Sequence, residues 1–364
     1  MVNRQGSVEN LGMRLPRPDF WKGKKVLLTG HTGFKGAWLA TWLNRMGAQV
    51  HGISLAPETQ PNLYETANIA KITDSAFCDI RNATEIAACL ARIEPDIVFH
   101  LAAQALVLRS YEQPVETFQT NVIGTANVLN AIRNISQTRV AVITTTDKVY
   151  ANFELAIPFR EDDKLGGHDP YSASKAAAEI LIASFRSSFF AGKAALSTMR
   201  AGNVMGGGDW SENRLIPDAV KAWTKGETLM VRNPASVRPW QHVLEPLAGY
   251  LILAETTWET PALAAAYNIG PDPDDVATVE AVIALAQSSF GSGDCMFSSD
   301  EPKNQEAVHL ALDNSKARRG LNVGPRWNLA TAVHRTMTWY RQFNGGASAS
   351  KLCNDDIEAY ETGT

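Results

Sequence analysis

Short apolar runs alternate with longer amphipathic stretches along the first half of the chain. The runs have the length and β-branched content of buried strands, and the stretches between them have helical spacing. Strands are predicted at 25–29, 49–55, 96–101, 139–144 and 195–199, and helices at 36–46, 115–135 and 172–187. Strands that alternate with helices form parallel sheets. The pattern therefore predicts an α/β fold with a Rossmann-type, doubly wound parallel sheet.

The pattern of apolar and polar residues changes along the chain, and these changes suggest domain limits. After about residue 203 the chain becomes loop-rich, with Gly206-Gly207-Gly208 and "GPDPDD". We therefore predict a main domain over 21–202 and a smaller C-terminal domain over 203–343, some of whose segments return to the main sheet. Residues 1–20, with Pro16 and Pro18, are predicted to be a loosely ordered leader, and residues 344–364 a tail.

Composition narrows the class of protein. The 364 residues are 45% hydrophobic and 20% charged, with a net charge of −4, which suits a folded core and argues against disorder. The absence of a Lys/Arg block argues against nucleic-acid binding. No apolar run is long enough for a membrane span, and no apolar leader is seen. Four scattered cysteines without C-x-x-C suit a reduced, cytoplasmic protein with neither a metal site nor a disulfide framework.

A glycine motif connects the first strand and its helix. "TGHTGFKG" contains Gly30, Gly33 and Gly36 as G-x-x-G-x-x-G. Such glycines let the backbone approach a pyrophosphate that rests on the helix N-terminus. The sequence thus predicts a dinucleotide site, although a plain glycine-rich turn would show the same pattern. The predicted cofactor contacts in this loop are Gly30, His31, Gly33, Phe34, Lys35 and Gly36.

The usual marker of NAD over NADP is missing. An acidic residue would normally end the second strand and hold the ribose 2′-hydroxyl. Here that strand ends "SLAP", with Glu58 slightly late and no Arg for a 2′-phosphate. We favour NAD, with NADP left open. Asp79, after the third strand, is a candidate contact for the adenine amine, and a helix N-cap is an equal alternative.

Two polar groups of residues are candidates for catalysis. "PYSASK" places Tyr171 and Lys175 on one helix face, where a cation could favour the phenolate. Thr146, Asp147 and Lys148 directly follow a buried strand, where open α/β sheets place their chemistry. The alternative for Tyr171 and Lys175 is a pair on the protein surface, and the alternative for Asp147 and Lys148 is a turn that exposes two solvated charges. Together with the glycine motif, the five residues are predicted to form a catalytic set.

These motifs resemble those of a known family. G-x-x-G-x-x-G followed by Y-x-x-x-K is similar to the signature of extended short-chain dehydrogenases/reductases that act on nucleotide sugars. Longer stretches, namely "GHTGFKGAWL", "SYEQPVETFQTNVIGT", "TTDKVY", "GGHDPYSASK", "RAGNVMGGGDW" and "RNPASVRPWQHVLEPL", resemble the 4,6-dehydratases of this family, in particular those for CDP-glucose. The resemblance extends from about residue 21 to about residue 340.

The resemblance implies a lyase that converts CDP-D-glucose to CDP-4-dehydro-6-deoxy-D-glucose and water with bound NAD. C4 is oxidised, water is eliminated across C5 and C6, and the hydride returns to C6. By this analogy Tyr171, supported by Lys175, accepts the C4 hydroxyl proton and Thr146 hydrogen-bonds the same oxygen. Lys148 removes the C5 proton, and Asp147 protonates the departing C6 hydroxyl.

The resemblance also implies further contacts. Arg214 and Arg238 could hold phosphate or hexose, with pairing to surface carboxylates as the alternative. No metal site is predicted at His168 or His242. The implied cofactor contacts are Asp79, Ile80, Leu101, Ala102, Ala103, Thr120, Tyr171 and Lys175. The implied substrate contacts are Gln104, Asn203, Arg214, Leu215, Arg232, Arg238 and His242.

The chain also departs from the family pattern. Val149 and Ala151 stand where the family usually has Cys and an acidic residue, and Leu108-Arg109 stands where Arg is expected first. Open alternatives are a dTDP- or GDP-hexose 4,6-dehydratase, a nucleotide-sugar C4 epimerase and a non-catalytic nucleotide sensor. The family pairs through two helices per subunit, which implies a homodimer or homotetramer. Its products feed deoxysugars of cell-surface polysaccharide such as the O-antigen of lipopolysaccharide.

Overall fold

The structure is a computed structural model that describes residues 13–153, 157–272, 275–298 and 310–363. Its strands are β1 (Lys25–Thr29), β2 (Gln49–Ser54), β3 (Asp74–Phe77), β4 (Ile97–His100), β5 (Val140–Thr146), β6 (Ala195–Ala201), β7 (Val204–Met205), β8 (Leu229–Val231), β9 (Val237–Arg238), β10 (Gln241–His242), β11 (Ala266–Ile269), β12 (Ala277–Thr278) and β13 (Cys295–Phe297).

The helices lie between and around these strands. They are α1 (Pro18–Trp21), α2 (Phe34–Arg45), α3 (Leu63–Thr66), α4 (Ala83–Ile93), α5 (Val107–Glu112), α6 (Pro114–Phe118), α7 (Thr125–Ile132), α8 (Pro170–Phe189), α9 (Leu215–Thr224), α10 (Leu244–Glu259), α11 (Val279–Phe290), α12 (Ser315–Leu321), α13 (Leu329–Asn344) and α14 (Ala349–Thr362). Short 3-10 helices cover Ile69–Lys71, Asp147–Val149 and Pro261–Leu263, and a π-helical turn covers Gln119–Gly124.

The main sheet has seven strands among the described residues, in the order β11-β6-β5-β4-β1-β2-β3. All neighbouring pairs in this sheet are parallel. The strand order reverses direction at β1, and the crevice beside this point is where open α/β sheets bind ligands. The predicted doubly wound parallel sheet is confirmed.

Both faces of the sheet are covered by helices, as a fully buried parallel sheet requires. Successive side chains of β1 point to opposite faces, so that Leu27 packs beneath α4, α7 and α8, whereas Val26 and Leu28 pack with Trp38 and Trp42 of α2. Helices α10, α13 and α14 pack on the same face of the sheet as α2. The apolar runs of the sequence are therefore the interior of a three-layer core.

Three element limits differ from the predicted ones for local reasons. Helix α8 begins at Pro170, because the Asp169 side chain accepts a hydrogen bond from Ser172 N and caps the helix. Strand β5 runs on to Thr146, which pairs with Ala201 of β6. The helix predicted over 115–135 is divided into α6, the π-helical turn and α7, with Asn121 of that turn donating to Ser174.

The chain ends are more firmly attached than predicted where the structure describes them. Of the predicted loose leader, residues 1–12 lie outside the described residues, whereas Arg14 and Arg17 pair with the buried carboxylate of Glu255. Residues predicted as a tail include α14, whose Tyr360 donates to Glu245 at 2.8 Å. Strand β11, from the second half of the chain, completes the main sheet beside β6.

Candidate active site

A cavity of about 1770 Å³ lies at the carboxyl ends of the sheet strands and extends towards β8 and β9. Most residues predicted for the site line it. They are Gly30, Gly33, Phe34, Lys35, Asp79, Ile80, Leu101, Ala102, Ala103, Gln104, Thr120, Thr146, Lys148, Tyr171, Lys175, Asn203, Arg214, Leu215, Arg232 and Arg238. Four predicted residues, namely His31, Gly36, Asp147 and His242, are not among the cavity-lining residues, for the reasons given below.

The glycines of the β1–α2 loop have different tasks. Gly30 has φ +79°, and a Cβ there would lie 2.7 Å from the backbone nitrogen of Ala102. A Cβ at Gly36 would overlap the carbonyl oxygen of Gly30, so Gly36 serves close packing behind the loop. Gly33 faces the cavity and has only ordinary contact at 3.4 Å. The bare loop at the start of α2 therefore fits a dinucleotide pyrophosphate.

His31 is not among the cavity-lining residues, and its predicted cofactor contact stays a prediction. Its ring is fully buried against Gly52, and its Nε2 hydrogen-bonds with Ser75 at 3.0 Å. Burial lowers the pKa of His31 to about 4, so the ring is neutral at physiological pH. The residue supports the loop from behind because β2 and β3 lie directly beneath it.

The ribose end of the cofactor cleft is held by hydroxyl groups rather than by an acid. The Thr32 hydroxyl hydrogen-bonds with Ser54 at 2.7 Å and donates to the carbonyl of Leu55 at 2.9 Å. Glu58, the late acidic residue, forms an ion pair with Arg109 at 2.6 Å, and both residues line the cavity. The late acidic residue noted in the sequence thus lies at the cavity, with its carboxylate already paired with an arginine.

Asp79 lines the cavity, but its carboxylate is already engaged. Arg81 donates to it through Nε and Nη2, at 2.8 and 2.6 Å, and through its backbone nitrogen. These bonds from Arg81 lower the pKa of Asp79. The alternative role as helix N-cap is wrong, because Asn82 caps α4 by accepting from Glu85 N.

The reaction centre joins helix α8 with the end of β5. Burial raises the pKa of Tyr171 to about 12, and a hydrogen bond with Thr146 opposes that shift. Burial also lowers the pKa of Lys175 to about 8, while the charge of Glu179 opposes it. The Lys175 ammonium donates to the carbonyl of Thr144 at 3.3 Å. The phenol and the hydroxyl predicted to share one substrate oxygen thus lie together.

Asp147 and Lys148 lie beside this pair at different depths. Lys148 lines the cavity, and its Nζ donates to Asp147 Oδ1 at 3.3 Å and to Asn203 Oδ1 at 3.4 Å. Asp147 is fully buried, its Oδ1 accepts from Thr146 at 2.9 Å, and its Oδ2 has no hydrogen-bond partner among the described residues. The acid predicted to face the substrate therefore lies behind Thr146 and Lys148.

Lys35, in the first turn of α2, was predicted as a cofactor contact. It also lies near residues predicted to be catalytic. Its side chain lines the cavity, with Arg214, Lys175, Asp147 and Asp209 as its charged neighbours. Burial, followed by the nearby charges of Arg214 and Lys175, lowers its pKa to about 7. Lys35 therefore lies where the cofactor and substrate parts of the cavity meet.

The far part of the cavity is rich in arginine. Arg214 forms an ion pair with buried Asp209 at 3.0 Å, and Arg238 is buried on β9. Arg232 is exposed at the cavity wall after β8. The predicted pairing of Arg214 with a carboxylate is thus observed, inside the cavity rather than on the surface.

His242, predicted as a substrate contact, lies outside the cavity lining, and this contact stays a prediction. It is fully buried, and its ring packs edge-on against Trp38 and Trp327 at 5.9 and 4.9 Å between ring centroids. Its Nδ1 accepts from the backbone nitrogen of Leu244, and burial lowers its pKa to about 3. The ring belongs to the core between α2 and α13, since β10 turns it away from the cavity.

The departures from the family pattern lie partly outside the cavity. Val149 is fully buried, and Ala151 packs against Gly166 and is not among the cavity-lining residues. Leu108 and Arg109 both line the cavity, near the cofactor cleft. Tyr150 and Asn152, on either side of Ala151, do line the cavity.

Several site residues escaped the sequence-based prediction. Arg81, Asp209 and Glu179 all engage predicted site residues, yet none of the three was predicted as a site residue, although Asp209 lies within the family-like stretch "RAGNVMGGGDW". Only Glu179 had a sequence signal, its spacing of four residues after Lys175 on the same helix face. Among the described residues no group of three His, Cys, Asp or Glu side chains could hold a metal ion, and no helix is long and apolar enough to cross a membrane.

This fold, with a glycine loop at one end of the cavity and a Tyr-x-x-x-Lys helix at its centre, defines the class of extended short-chain dehydrogenases/reductases. Within it, the chain belongs to the family whose model is described as GDP-mannose 4,6 dehydratase, which matches residues 27–336.

Known relatives agree with this membership. The chain is 40% identical over 353 residues to CDP-glucose 4,6-dehydratase of Salmonella typhimurium, covering 95% of this chain and 98% of that protein. It is 27% identical over 334 residues to dTDP-glucose 4,6-dehydratase of Xanthomonas campestris pv. campestris, covering 86% and 92%. The fold is similar to that of UDP-glucose 4-epimerase of Thermotoga maritima, with a TM-score of 0.77 at 20% identity, covering 88% of this chain and 99% of that one.

Proposed function

We propose that this protein is a 4,6-dehydratase that converts CDP-glucose to CDP-4-dehydro-6-deoxyglucose and water. The observation that carries the proposal is the joint presence of Thr146, Lys148 and Tyr171 on one cavity wall, because dehydration needs groups for C4 and for C5 at one site. The 40% identity to a CDP-glucose 4,6-dehydratase over nearly the whole chain supports the choice of substrate.

The proposed cofactor is NAD. The loop at Gly30 and Gly33 fits its pyrophosphate, and Thr32 and Ser54 supply the hydroxyl groups at the ribose end. When bound, NAD⁺ supplies the reversible hydride acceptance that makes the overall reaction redox-neutral. Leu101, Ala102 and the other lining residues that follow β4 would hold the nicotinamide half next to Tyr171. The dTDP-glucose 4,6-dehydratase structure from Bacillus anthracis, similar in fold at a TM-score of 0.74, contains NAD.

The groups for C4 are Tyr171, Lys175 and Thr146. A phenol with a pKa near 12 is almost entirely protonated at neutral pH, so Tyr171 needs nearby positive charge to form the phenolate that accepts the C4 hydroxyl proton. Lys175 provides one such charge from its position one helical turn away. The Thr146 hydroxyl lies beside the phenol and could orient the same sugar oxygen. The proton would therefore move from the C4 hydroxyl to Tyr171.

The groups for C5 and C6 are Lys148 and Asp147. Once C4 is a ketone, the C5 proton is acidic, and Lys148 is the cavity-facing base that would remove it. Asp147, in contact with both Thr146 and Lys148, is the proposed proton source for the departing C6 hydroxyl. Because Asp147 lies behind Lys148, Lys148 would hand one proton to the departing C6 oxygen and take one from Asp147 in exchange, through their contact.

The nucleotide diphosphate is assigned to the arginine-rich end of the cavity. Arg214, Arg232 and Arg238 offer planar groups that suit phosphate oxygens. Asn203 would link this end to the reaction centre, since it already accepts from Lys148. The carboxylate of Asp209 keeps Arg214 oriented, as the 3.0 Å ion pair suggests.

A panel assay tests the proposal. Purified protein with added NAD is incubated with CDP-, dTDP-, GDP- and UDP-glucose, and products are analysed by mass spectrometry. We expect loss of one water from CDP-glucose in preference to the others. A product of unchanged mass would indicate an epimerase, and bound NAD with no turnover on any sugar would indicate a sensor.

We further propose that the protein acts as a dimer or a higher even oligomer through α6–α7 and α8. Val115, Phe118, Ile123 and Ile180 are exposed apolar residues on these helices, an arrangement typical of a covered surface. Val115→Glu should yield monomers in light scattering, whereas Met296→Glu, an exposed apolar control elsewhere, should not. If both variants had the same mass in solution, α6–α7 and α8 would not be the subunit interface.

We also propose that the protein acts in the cytoplasm and supplies a deoxysugar precursor. All four cysteines are free thiols, which suits the reducing cytoplasm. A 4-keto-6-deoxy product would be a precursor for the deoxysugars of cell-surface polysaccharide such as O-antigen.

A further inference from the structure

Three consecutive threonines at the end of β5 contact three successive turns of α8. The Thr146 hydroxyl lies beside Tyr171 and lowers the pKa of its phenol, and the Thr144 carbonyl accepts from Lys175. The third contact has no role in the reaction proposed above. In it, the Thr145 hydroxyl donates to Oε1 of Glu179 at 2.5 Å. Residues 171, 175 and 179 are spaced by four, so all three contacts lie on one helix face.

Glu179 is the centre of a buried network that reaches a second strand. Its Oε2 accepts from Arg200 at 2.9 Å and from Thr198 at 3.1 Å, both on β6. Glu179 and Arg200 are each only 3% exposed, and neither lines the cavity. The carboxylate therefore joins α8, β5 and β6 at a place that no substrate reaches.

Arg200 extends the network to the far side of the acid–base loop. Its Nη1 donates to the Tyr150 hydroxyl at 2.9 Å, and that hydroxyl donates to Asn268 on β11 at 2.6 Å. Tyr150 directly follows Asp147-Lys148-Val149, and Thr145 precedes Thr146. The two anchors, Thr145 and Tyr150, thus flank the loop that carries the predicted acid and base.

We propose that Glu179 is a positioning residue, which through Thr145 and through Arg200–Tyr150 holds the Thr146–Lys148 loop in register with Tyr171 and Lys175. The inference rests on the catalytic roles proposed above, and it adds a group that touches neither sugar nor cofactor. Misplacement of about 1 Å at a reacting centre costs about a hundred-fold in rate. A buried clamp on both sides of the loop would prevent such displacement.

The matched comparison uses two buried glutamates. Glu179→Gln removes the charge paired with Arg200 but keeps an oxygen for Thr145. Glu255→Gln likewise removes a fully buried carboxylate paired with Arg14 and Arg17, at a helix outside the cavity. Both variants should lose stability, since each leaves arginine charge without its partner. Only Glu179→Gln should lose turnover, by about ten- to hundred-fold, with affinity for CDP-glucose within about two-fold of wild type by calorimetry.

The pH profile adds a readout that a purely structural role would not move. The charged groups around Glu179 are Arg200, Arg186 and Lys175. Glu179 supports the protonated form of Lys175, whose charge assists Tyr171, so its loss lowers the Lys175 pKa further. The fall in activity at alkaline pH should therefore begin at lower pH in Glu179→Gln and be unchanged in Glu255→Gln.

If Glu179→Gln does not fold, Tyr150→Phe tests the same positioning role, because it breaks the Arg200–Tyr150 contact. It keeps every charge and the ring that stacks on Phe159 at 4.8 Å, and removes only the hydroxyl. We expect a turnover loss of about three- to ten-fold and faster amide hydrogen exchange in the peptide 144–152. Exchange is measured whether or not CDP-glucose is the substrate, so it separates this inference from the proposed function. Wild-type exchange in that peptide and wild-type turnover in Tyr150→Phe would overturn the positioning role.

Discussion

The cofactor end and the substrate end of the cavity are built in different ways. The cofactor end comes mainly from one continuous β1–α2–β2 stretch, with glycines and small hydroxyl side chains. The substrate end collects Asn203, Arg214, Arg232 and Arg238 from separate loops and short strands. The first end offers close backbone approach to a pyrophosphate, whereas the second offers side-chain charge.

Because of this difference, substitutions at the two ends should weaken cofactor binding and substrate binding in different ways. A single glycine can close the cofactor end, because its function depends on space. The substrate end should weaken in steps, because its function is shared among several cations. The reaction centre lies between them and depends on both.

Tyr171→Phe should abolish chemistry while both ends remain filled. In the proposed mechanism the phenolate of Tyr171 begins the reaction by accepting the C4 proton, and general acid–base groups contribute up to about ten-thousand-fold. Turnover should fall by about that factor, while NAD content and CDP-glucose affinity stay within about two-fold of wild type. Near-normal product formation would remove Tyr171 from the mechanism.

Lys148→Met should stop the reaction after oxidation of C4, since Tyr171 and Lys175 remain. We expect a loss of about a hundred- to thousand-fold, with reduced cofactor accumulating and C5 exchange with heavy water suppressed. Asp147→Asn is the matched variant, in which C5 exchange should persist while loss of the C6 oxygen slows. Without reduced cofactor in either variant, the pair would act before oxidation and the proposed division of roles would be wrong.

Gly33→Val should empty the cofactor end without unfolding the protein. Its φ of −78° is ordinary, and the space its side chain would enter faces the cavity. Gly345→Val is the control, because that glycine has φ −79° and the same 3.4 Å Cβ clearance at the end of α13. NAD content should fall about ten-fold or more in the first variant only. Full cofactor content in Gly33→Val would contradict the assignment of the loop.

Lys35 should report substrate binding by taking up a proton. Its pKa of about 7 leaves it largely neutral at pH 8, and a diphosphate nearby would favour the charged form. CDP-glucose binding at pH 8 should therefore take up as much as roughly one proton per site, measured by calorimetry in two buffers of different ionisation enthalpy. The uptake should disappear in Lys35→Met, and equal uptake in this variant would exclude Lys35.

His242→Phe should have the smallest effect on the reaction. The ring lies in the core against Trp38 and Trp327, so KM should change by less than about two-fold, with stability altered by about 1 kcal/mol. Arg238→Met, four residues earlier and inside the cavity, should raise KM about ten-fold through loss of a phosphate contact. A large KM increase in His242→Phe would restore its predicted substrate role.

The amino-acid sequence alone was enough to predict the parallel sheet and the glycine loop and to propose a catalytic set, because each depends on short-range pattern. Strand and helix periodicity, the turn at Gly30 and the four-residue spacing of Tyr171 and Lys175 are all local properties. Resemblance to a family then supplied the substrate and the roles of the remaining residues.

Only the tertiary structure decided which of these side chains face the cavity. His31, Asp147 and His242 each follow or belong to elements near the site, yet neighbouring strands and tryptophans bury them. Likewise, Glu179 and Arg200 meet only because β6 lies beside β5 and beneath α8. A one-residue change along a strand reverses the face of a side chain, and pairs distant in sequence leave no local pattern, so packing alone settles both.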